Sequence, residues 1–518
     1  MLATVFSGSV IGLDTHLVRV EVDISGGLPA FHIVGLPDAA VQESRERVRA
    51  AVRHAGFDFP SRRITVNLAP ADLRKEGPAF DLPIALGVLA ASGQVSSDRL
   101  PNVIVAGELA LDGSTRRVRG VLSMACDLPA LEREAGSSRM VLVVPLENSG
   151  EATVVSRVAA ELVSSLKEAA GVLEGAEGGA TQRPRRPSSA ARERGGLEGP
   201  DLCEVAGQRT ARRALEIAAA GEHHLLLSGP PGSGKTMLAE RVPSVLPRLS
   251  EGEAVEVTKI YSVAGLLREE GGLIERRPFR SPHHTVSDAA LIGGGRLPKP
   301  GEVSLAHRGV LFLDEVTEFR RSALEVLRQP LVDRRVQVSR VRGSATFPAD
   351  FTLVATMNPC PCGYLGDAGK DCVCTPPGVE RYRARLSGPL LDRIDLHVSV
   401  PRLPVEALRG EASSESSAAV RERVEKARAV QAERQADSER AGGRTNGRMD
   451  GRALERHCAL GSADRRYLER SAAAFGLSAR SYHGVLKVAR TIADLADAER
   501  IGESHLAEAL TYRSPEAL

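Results

Sequence analysis

Apolar and polar residues alternate in RRITVNLAP (62–70), whereas apolar residues run together in RMVLVVP (139–145). Both patterns predict strands. AAVQESRERVRAAVRHAG predicts a helix that Gly56 closes, and DLPIALGVLAAS predicts a second. The apolar run LPIALGVLAASG (82–93) is too short to span a bilayer and reads as a buried helix. Strands and helices therefore mix over 1–170. Across 201–400, apolar strands alternate with helices, the pattern of a parallel α/β sheet. Beyond 450 the chain reads as helical. In SYHGVLKVARTIADL, Val485, Val488, Ala489, Ile492 and Leu495 recur at helical spacing.

Two stretches break the pattern. Residues 171–200 (GVLEGAEGGATQRPRRPSSAARERGGLEGP) lack apolar periodicity and cannot bury enough surface to offset their ordering, so they read as a flexible linker. Residues 401–450 form a second, polar linker, within which VRERVEKARAVQAERQ has the makings of a solvated helix. The expected units are thus 1–170, 201–400 and 451–518, with no internal repeat.

A chain of 518 residues fits roughly three domains at about 150 residues each. Lys and Arg number 68 against 66 Asp and Glu, so no global field draws the protein to nucleic acid and any basic surface is local. Aromatic residues make up only 3% and Trp is absent, so Val, Leu, Ile and Ala build the cores. The amino-terminal stretch MLATVFSGSVIGLDTH has no basic leader, which points to a cytoplasmic protein without membrane contact and with reduced thiols.

The strongest chemical signal is HLLLSGPPGSGKTMLAERV. An apolar strand enters Gly229-Pro230-Pro231-Gly232-Ser233-Gly234-Lys235-Thr236 and a helix follows, the full phosphate-loop pattern in its proper setting. Glycines let backbone N–H groups converge on phosphates, Lys235 suits the outer phosphates, and the Thr236 hydroxyl suits Mg²⁺. GVLFLDEV ends in Asp314, a second Mg²⁺ ligand, and Glu315, which can orient or deprotonate an attacking water. FTLVATMNP delivers Asn358 at a strand end, where an amide can position that water. Arg393, in LLDRIDLHV, fits a guanidinium supplied across a subunit boundary, or else ion pairs with Asp392 and Asp395. Arg480 opens the helical run and either reaches the nucleotide from a lid or is an ordinary exposed arginine.

In order, these parts resemble an AAA+ ATPase. RPFRSPHHTVSDAALIGGG, NPCPCGYLGD and GLPAFHIVGLPDAAVQESRERVRAA narrow the resemblance to the YifB/ComM family of magnesium-chelatase-like AAA+ ATPases, over nearly the whole chain outside the linkers. The resemblance implies an α/β AAA+ core, a carboxy-terminal helical lid, ATP and Mg²⁺ as cofactors, and a hexameric ring. It makes Arg393 the arginine finger, Asn358 sensor 1 and Arg480 sensor 2. DLCEVAGQ then supplies Val205 and Gln208 to the adenine pocket. It also implies DNA branch migration, with single-stranded and branched DNA as partners, as in natural transformation. A chelatase-type motor for tetrapyrrole metal insertion and a protein-remodelling ATPase are the alternatives.

The interval between the phosphate loop and the Asp-Glu strand is long enough for an extra hairpin. DRRVQVSRVRGSATF reads as two short strands around Gly343, carrying Arg334, Arg335, Arg340 and Arg342. In related ATPases such hairpins face a pore, so these arginines are expected to grip DNA phosphates, with salt bridges as the alternative. Scarce aromatics argue against base stacking.

Residues 1–170 resemble the Lon protease fold (ribosomal S5 domain 2-like, α+β) through KEGPAFDLPIAL and GELALDGSTRRVRGVLSMACDL. By that resemblance Ala79 stands at the serine position and Ser123 at the lysine position, so the catalytic dyad is missing and acyl transfer is not expected. Lys75 and Asp81 are polar residues with no role assigned by sequence.

Four of the seven cysteines, Cys360, Cys362, Cys372 and Cys374, form two Cys-x-Cys pairs. They suit one tetrahedral Zn²⁺, although the spacing also admits reduced thiols, an iron–sulfur cluster or a regulated disulfide. Cys126, Cys203 and Cys458 stand alone and are expected to be packing residues.

Overall fold

The computed structural model describes residues 1–137, 139–155, 158–175, 199–267, 272–295, 298–340, 343–403, 415–435 and 445–513. Residues 176–198 of the first expected linker lie outside these.

The amino-terminal unit is built on seven strands: β1 (Leu2–Ile11), β2 (Asp14–Ser25), β3 (Ala30–Val34), β4 (Arg63–Ala69), β5 (Val103–Val105), β6 (Val141–Pro145) and β7 (Ala159–Val163). They lie in the order β3-β4-β2-β1-β5-β6-β7. The long β1 and β2 pair antiparallel from Leu2↔Asp23 to Ile11↔Asp14. The helix Ala39–His54 starts where the Asp38 side chain accepts the Val41 N–H, and Gly56 at φ 85° ends the turn beyond it. Asp81–Ala91 is buried at every position, which explains its apolar circumference. Gly87 lets this helix reach the sheet, since a Cβ there would stand 2.6 Å from Val22 Cγ2.

Both polar residues left without a role serve this packing. Asp81 is buried and accepts from Arg47 Nε at 2.6 Å, from the Leu109 N–H at 3.3 Å and from Ser44 Oγ, tying the two helices together. Lys75 is buried as well and donates to the carbonyls of Leu73 and Pro70; burial lowers its pKa. Ser123 is fully buried on the helix Val121–Ala135, and Ala79 packs against the same apolar cluster as Val121 and Met124.

The second unit holds β8 (Leu225–Ser228), β9 (Phe279–Arg280), β10 (Val310–Leu313), a hairpin of β11 (Arg335–Arg340) and β12 (Gly343–Pro348), then β13 (Thr352–Met357) and β14 (Leu396–Ser399). Its five-stranded sheet runs β9-β10-β13-β8-β14 and is parallel throughout. Buried on both faces, β8, β10 and β13 need continuous apolar runs, as the sequence has. The extra hairpin is present too: Gly293 pairs with Pro300 and Gly294 with Lys299.

The expected polar linker 401–450 needs correction. Ser417–Arg434 is a helix, capped by Ser416, whose Val420, Val424 and Ala427 join the core formed by Arg209–Gly221 and Ala479–Leu495. Its buried positions are few but fall three and four apart, which aligns them on one face of an otherwise charged helix. Among the described residues no helix is long and apolar enough to cross a membrane.

The two units touch. Lys259 pairs with Asp127 at 3.1 Å, and Ser262 Oγ donates to the buried carboxylate of Glu151. Gly12, in the β1–β2 turn, abuts Ala345 of the hairpin.

His224, at the start of β8, is buried, and its Nδ1 accepts the Leu353 N–H at 3.0 Å. Burial, reinforced by Arg448, pushes its pKa down to about 3. The imidazole is therefore neutral in the fold but protonates near pH 6.5 once unfolded, so its contribution is complete above about pH 6.5 and is lost as pH falls towards about 3. Chemical denaturation should show stability declining by up to roughly 1.4 kcal/mol per pH unit across that window. A His224→Gln variant should show a shallower decline, and an equal slope in both proteins would refute this.

Candidate active site

Every sheet strand that carries a predicted catalytic group ends at the same, carboxyl edge. Leaving β8, the backbone passes Gly229, where an added Cβ would stand 2.2 Å from the Val400 carbonyl oxygen. Gly232 and Gly234 have φ of 74° and 91°, values that favour glycine and turn the chain into the helix Lys235–Glu240. Lys235 Nζ donates to the Gly229 carbonyl at 2.7 Å, the Pro230 carbonyl at 2.8 Å and Asn358 Oδ1 at 3.2 Å. The Lys235 ammonium and the Asn358 amide are therefore in contact. Burial lowers the Lys235 pKa, while Asp314 and Glu315 work against that shift.

Thr236 Oγ1 lies 3.3 Å from both carboxylate oxygens of Asp314. The hydroxyl and the carboxylate thus converge as a Mg²⁺ pair would. Thr356, buried in β13, donates from Oγ1 to Asp314 Oδ1 at 2.5 Å and accepts the Glu315 N–H at 2.9 Å. This orienting residue was missed in the sequence; the only clue is a hydroxyl interrupting the apolar run before Met357. Glu315 is exposed, and its backbone is left-handed (φ 49°) where the strand gives way to the turn that follows. Gln208, also left-handed at φ 46°, donates from Nε2 to the carbonyls of Ser233 (3.2 Å) and Pro401 (2.7 Å). It is buried, as is Val205.

Arg393 and Arg480 lie elsewhere. Arg393 precedes β14, and the register Leu225↔Leu396 to Ser228↔Ser399 puts it at the amino edge of the sheet. Four residues at about 3.3 Å each separate the edges by roughly 13 Å. The lid explains Arg480: His223 bonds Thr491 at 2.8 Å, and Ser481 Oγ donates to Asp392 at 3.0 Å, fixing Ala479–Leu495 to that edge. Arg393 and Arg480 line one cavity of about 1200 Å³. Desolvation, then the neighbouring Arg480, lower the Arg393 pKa, as expected where two cations face a shared space. Arg480 therefore does not reach the phosphate loop of its own chain.

The hairpin differs in detail from expectation. Val336, Val338, Ala345 and Phe347 point into the core, leaving Arg335, Gln337 and Ser339 exposed. Arg334 is not on this exposed face: it lines the cavity and donates to the Arg448 carbonyl at 3.1 Å, because its φ of 54° turns it aside before β11 begins. The Arg340 side chain and all of Arg342 lie outside the described residues.

All four clustered cysteines come together, their sulfurs within 4.8 Å of one another. Cys458 is buried and Cys126 half-buried, in line with packing. Cys203 is instead exposed, because its short turn Leu202–Glu204 buries Leu202.

Comparison with known proteins follows the same divisions. The family "Magnesium chelatase, subunit ChlI" matches residues 201–408, "Subunit ChlI of Mg-chelatase" matches 20–148, and "Magnesium chelatase, subunit ChlI C-terminal" matches 414–513. The last of these includes the helix Ser417–Arg434. The competence protein ComM of Haemophilus influenzae is 45% identical over 516 residues, covering 99% of this chain and 97% of its own length. The YifB protein of Salmonella typhimurium is 43% identical over 519 residues, covering 100% and 98%. Lon protease 2 of Bacillus subtilis is 29% identical over 141 residues, covering 26% of this chain and 25% of its own. With a parallel sheet that gathers phosphate loop, Asp314 and Asn358 at one edge, and relatives matching from end to end, the chain belongs to the YifB/ComM family of magnesium-chelatase-like AAA+ ATPases.

Proposed function

We propose that the protein is an ATP-hydrolysing ring motor, a hexamer, that drives branch migration on single-stranded and branched DNA during recombination. The observation that carries this reading is the split of the catalytic set between two edges of one sheet. Lys235, Thr236, Asp314, Glu315 and Asn358 occupy the carboxyl edge, and Arg393 and Arg480 the amino edge. A single copy cannot bring both halves to one triphosphate, whereas neighbours in a ring can. Lys235 then holds the outer phosphates, Thr236 and Asp314 hold Mg²⁺, and Glu315 and Asn358 set the water. Arg393 and Arg480 of the adjoining copy offset charge on the transferring phosphoryl group. The adenine pocket draws on Val205 and Gln208.

Repeated around an axis, the β11–β12 hairpins would concentrate the exposed Arg335 into a local positive field that a near-neutral chain otherwise lacks. Phosphate contacts of this kind carry little sequence preference. The name of the Haemophilus influenzae relative, a competence protein, supports a role in transformation.

On three-stranded and forked DNA, the protein should convert substrate only with ATP and Mg²⁺, and single-stranded DNA should stimulate ATP turnover. Lys235→Ala should lower both on the order of 100-fold or more. ATP hydrolysis indifferent to DNA, with no strand exchange, would instead favour a chelatase-type motor. Protein partners that survive nuclease treatment would favour a remodelling ATPase.

A further inference from the structure

The loop that follows Asn358 ends against the phosphate loop. Gly363 has φ 86°, and a Cβ on it would stand 2.6 Å from Pro231 Cδ and 3.9 Å from Asn358 Cγ. Arg402 Nη2 donates to the Pro231 carbonyl at 3.3 Å and lies 3.6 Å from Asp367. Lys370 sits 4.1 Å above the Tyr364 ring, and Arg402 lies 6.0 Å from the same ring. Pro231 of the phosphate loop thus touches both Gly363 and Arg402.

Little in this loop explains how it keeps its shape. It has no regular element between Met357 and Pro376, and Val373 is 85% exposed. Its inward groups are sulfurs. Cys360 Sγ lies 3.4 Å from Cys362 Sγ and 3.6 Å from Cys372 Sγ, and Cys362 and Cys372 are 3.6 Å apart. Four thiolates at about 2.3 Å from one Zn²⁺ define a tetrahedron with edges of about 3.8 Å. A disulfide needs about 2.05 Å, and all four cysteines are free. With the Cys374 sulfur also within 4.8 Å of the others, this spacing suits one ion rather than a multinuclear cluster. Backbone N–H groups of Cys362 and Cys374 point at the sulfurs of Cys374 and Cys372, at 3.3 and 3.4 Å, the donors that a thiolate accepts. A tetrathiolate zinc centre is a dianion, and Lys370 and Arg402 supply the loop with two cations.

We propose that Cys360, Cys362, Cys372 and Cys374 hold one structural Zn²⁺, and that this ion fixes Gly363 and Arg402 against Pro231, so that nucleotide affinity depends on a metal outside the reaction. The metal site stands on its own geometry; the coupling rests on the ATP-site reading above. Zinc replaces the packed core that the loop lacks, and its free energy of binding is spent ordering the chain. The effect reaches ATP through contact with Pro231 and through Asn358, two residues before Cys360.

The full-length protein, purified without chelator, should contain about one zinc per chain by elemental analysis. The double variant Cys372→Ser/Cys374→Ser should lose the zinc and bind a fluorescent ATP analogue about tenfold more weakly. Gly363→Ala should keep the zinc yet weaken the analogue by a similar factor, and it decides the coupling even if the cysteine variant fails to fold. Wild-type protein without zinc, with iron in its place, or with its four thiols oxidised overturns the metal site. Wild-type affinity in Gly363→Ala overturns the coupling. Wild-type protein that carries zinc but binds no analogue refutes the ATP-site reading and leaves the zinc site standing.

Discussion

Replacing Arg393 with alanine should cut ATP turnover by about 10³- to 10⁵-fold while leaving ATP binding intact. Arg393 lies at the sheet edge opposite its own phosphate loop, so its loss removes nothing from the pocket that binds the nucleotide. On the ring reading proposed above, it removes the cation supplied by the adjoining copy. The distinguishing measurement is a mixture. Arg393→Ala subunits carry an intact Lys235, and Lys235→Ala subunits carry an intact Arg393. Neither should turn over alone, but mixed rings contain junctions where both halves are intact and should recover part of the activity. Turnover in the mixture that equals the sum of the two inactive proteins would rule out donation between copies. Unchanged turnover in Arg393→Ala would leave the guanidinium a structural role, through its bond to the Pro389 carbonyl and its attraction to Asp392 and Glu325.

Glu315→Gln should lower turnover by about 10²- to 10⁴-fold, with ATP and Mg²⁺ still bound. Glutamine keeps the length and the backbone hydrogen bond to Thr356 but cannot take a proton from water. Asp314, anchored by Thr356 and Thr236, still receives the metal. Trapped ATP on the variant, read by rapid filtration, is the expected signature. Loss of ATP binding instead would mean that Glu315 shapes the pocket and does not act on water.

The parallel sheet and its phosphate loop were legible because each depends on local pattern. HLLLSGPPGSGKT carries strand, turn and helix within a few residues, and Asp314 and Asn358 each end an apolar run. The helix Ser417–Arg434 was not legible as core. Val420, Val424, Ala427 and Gln431 do fall on one face, but strong charges between them mask so thin a stripe. The sheet edge that Arg480 serves was not legible for another reason. Which edge a lid covers depends on contacts such as His223 with Thr491, 268 residues apart, and no local pattern encodes them. The bracing of Pro231 by Gly363 is also nonlocal; the sequence offers only a glycine beside a cysteine. Arg334 shows the reverse: it looks like part of a basic hairpin, yet one left-handed residue diverts it into a cavity.

Glu151 bears on how the chain can be dissected. Its carboxylate is 2% exposed and accepts from Arg117 and Asn148 of its own unit and from Ser262 of the other. Separating the two units would therefore expose the Glu151 carboxylate and strip Ser262 of its acceptor. Either unit produced alone would be a poor stand-in for its counterpart in the intact chain.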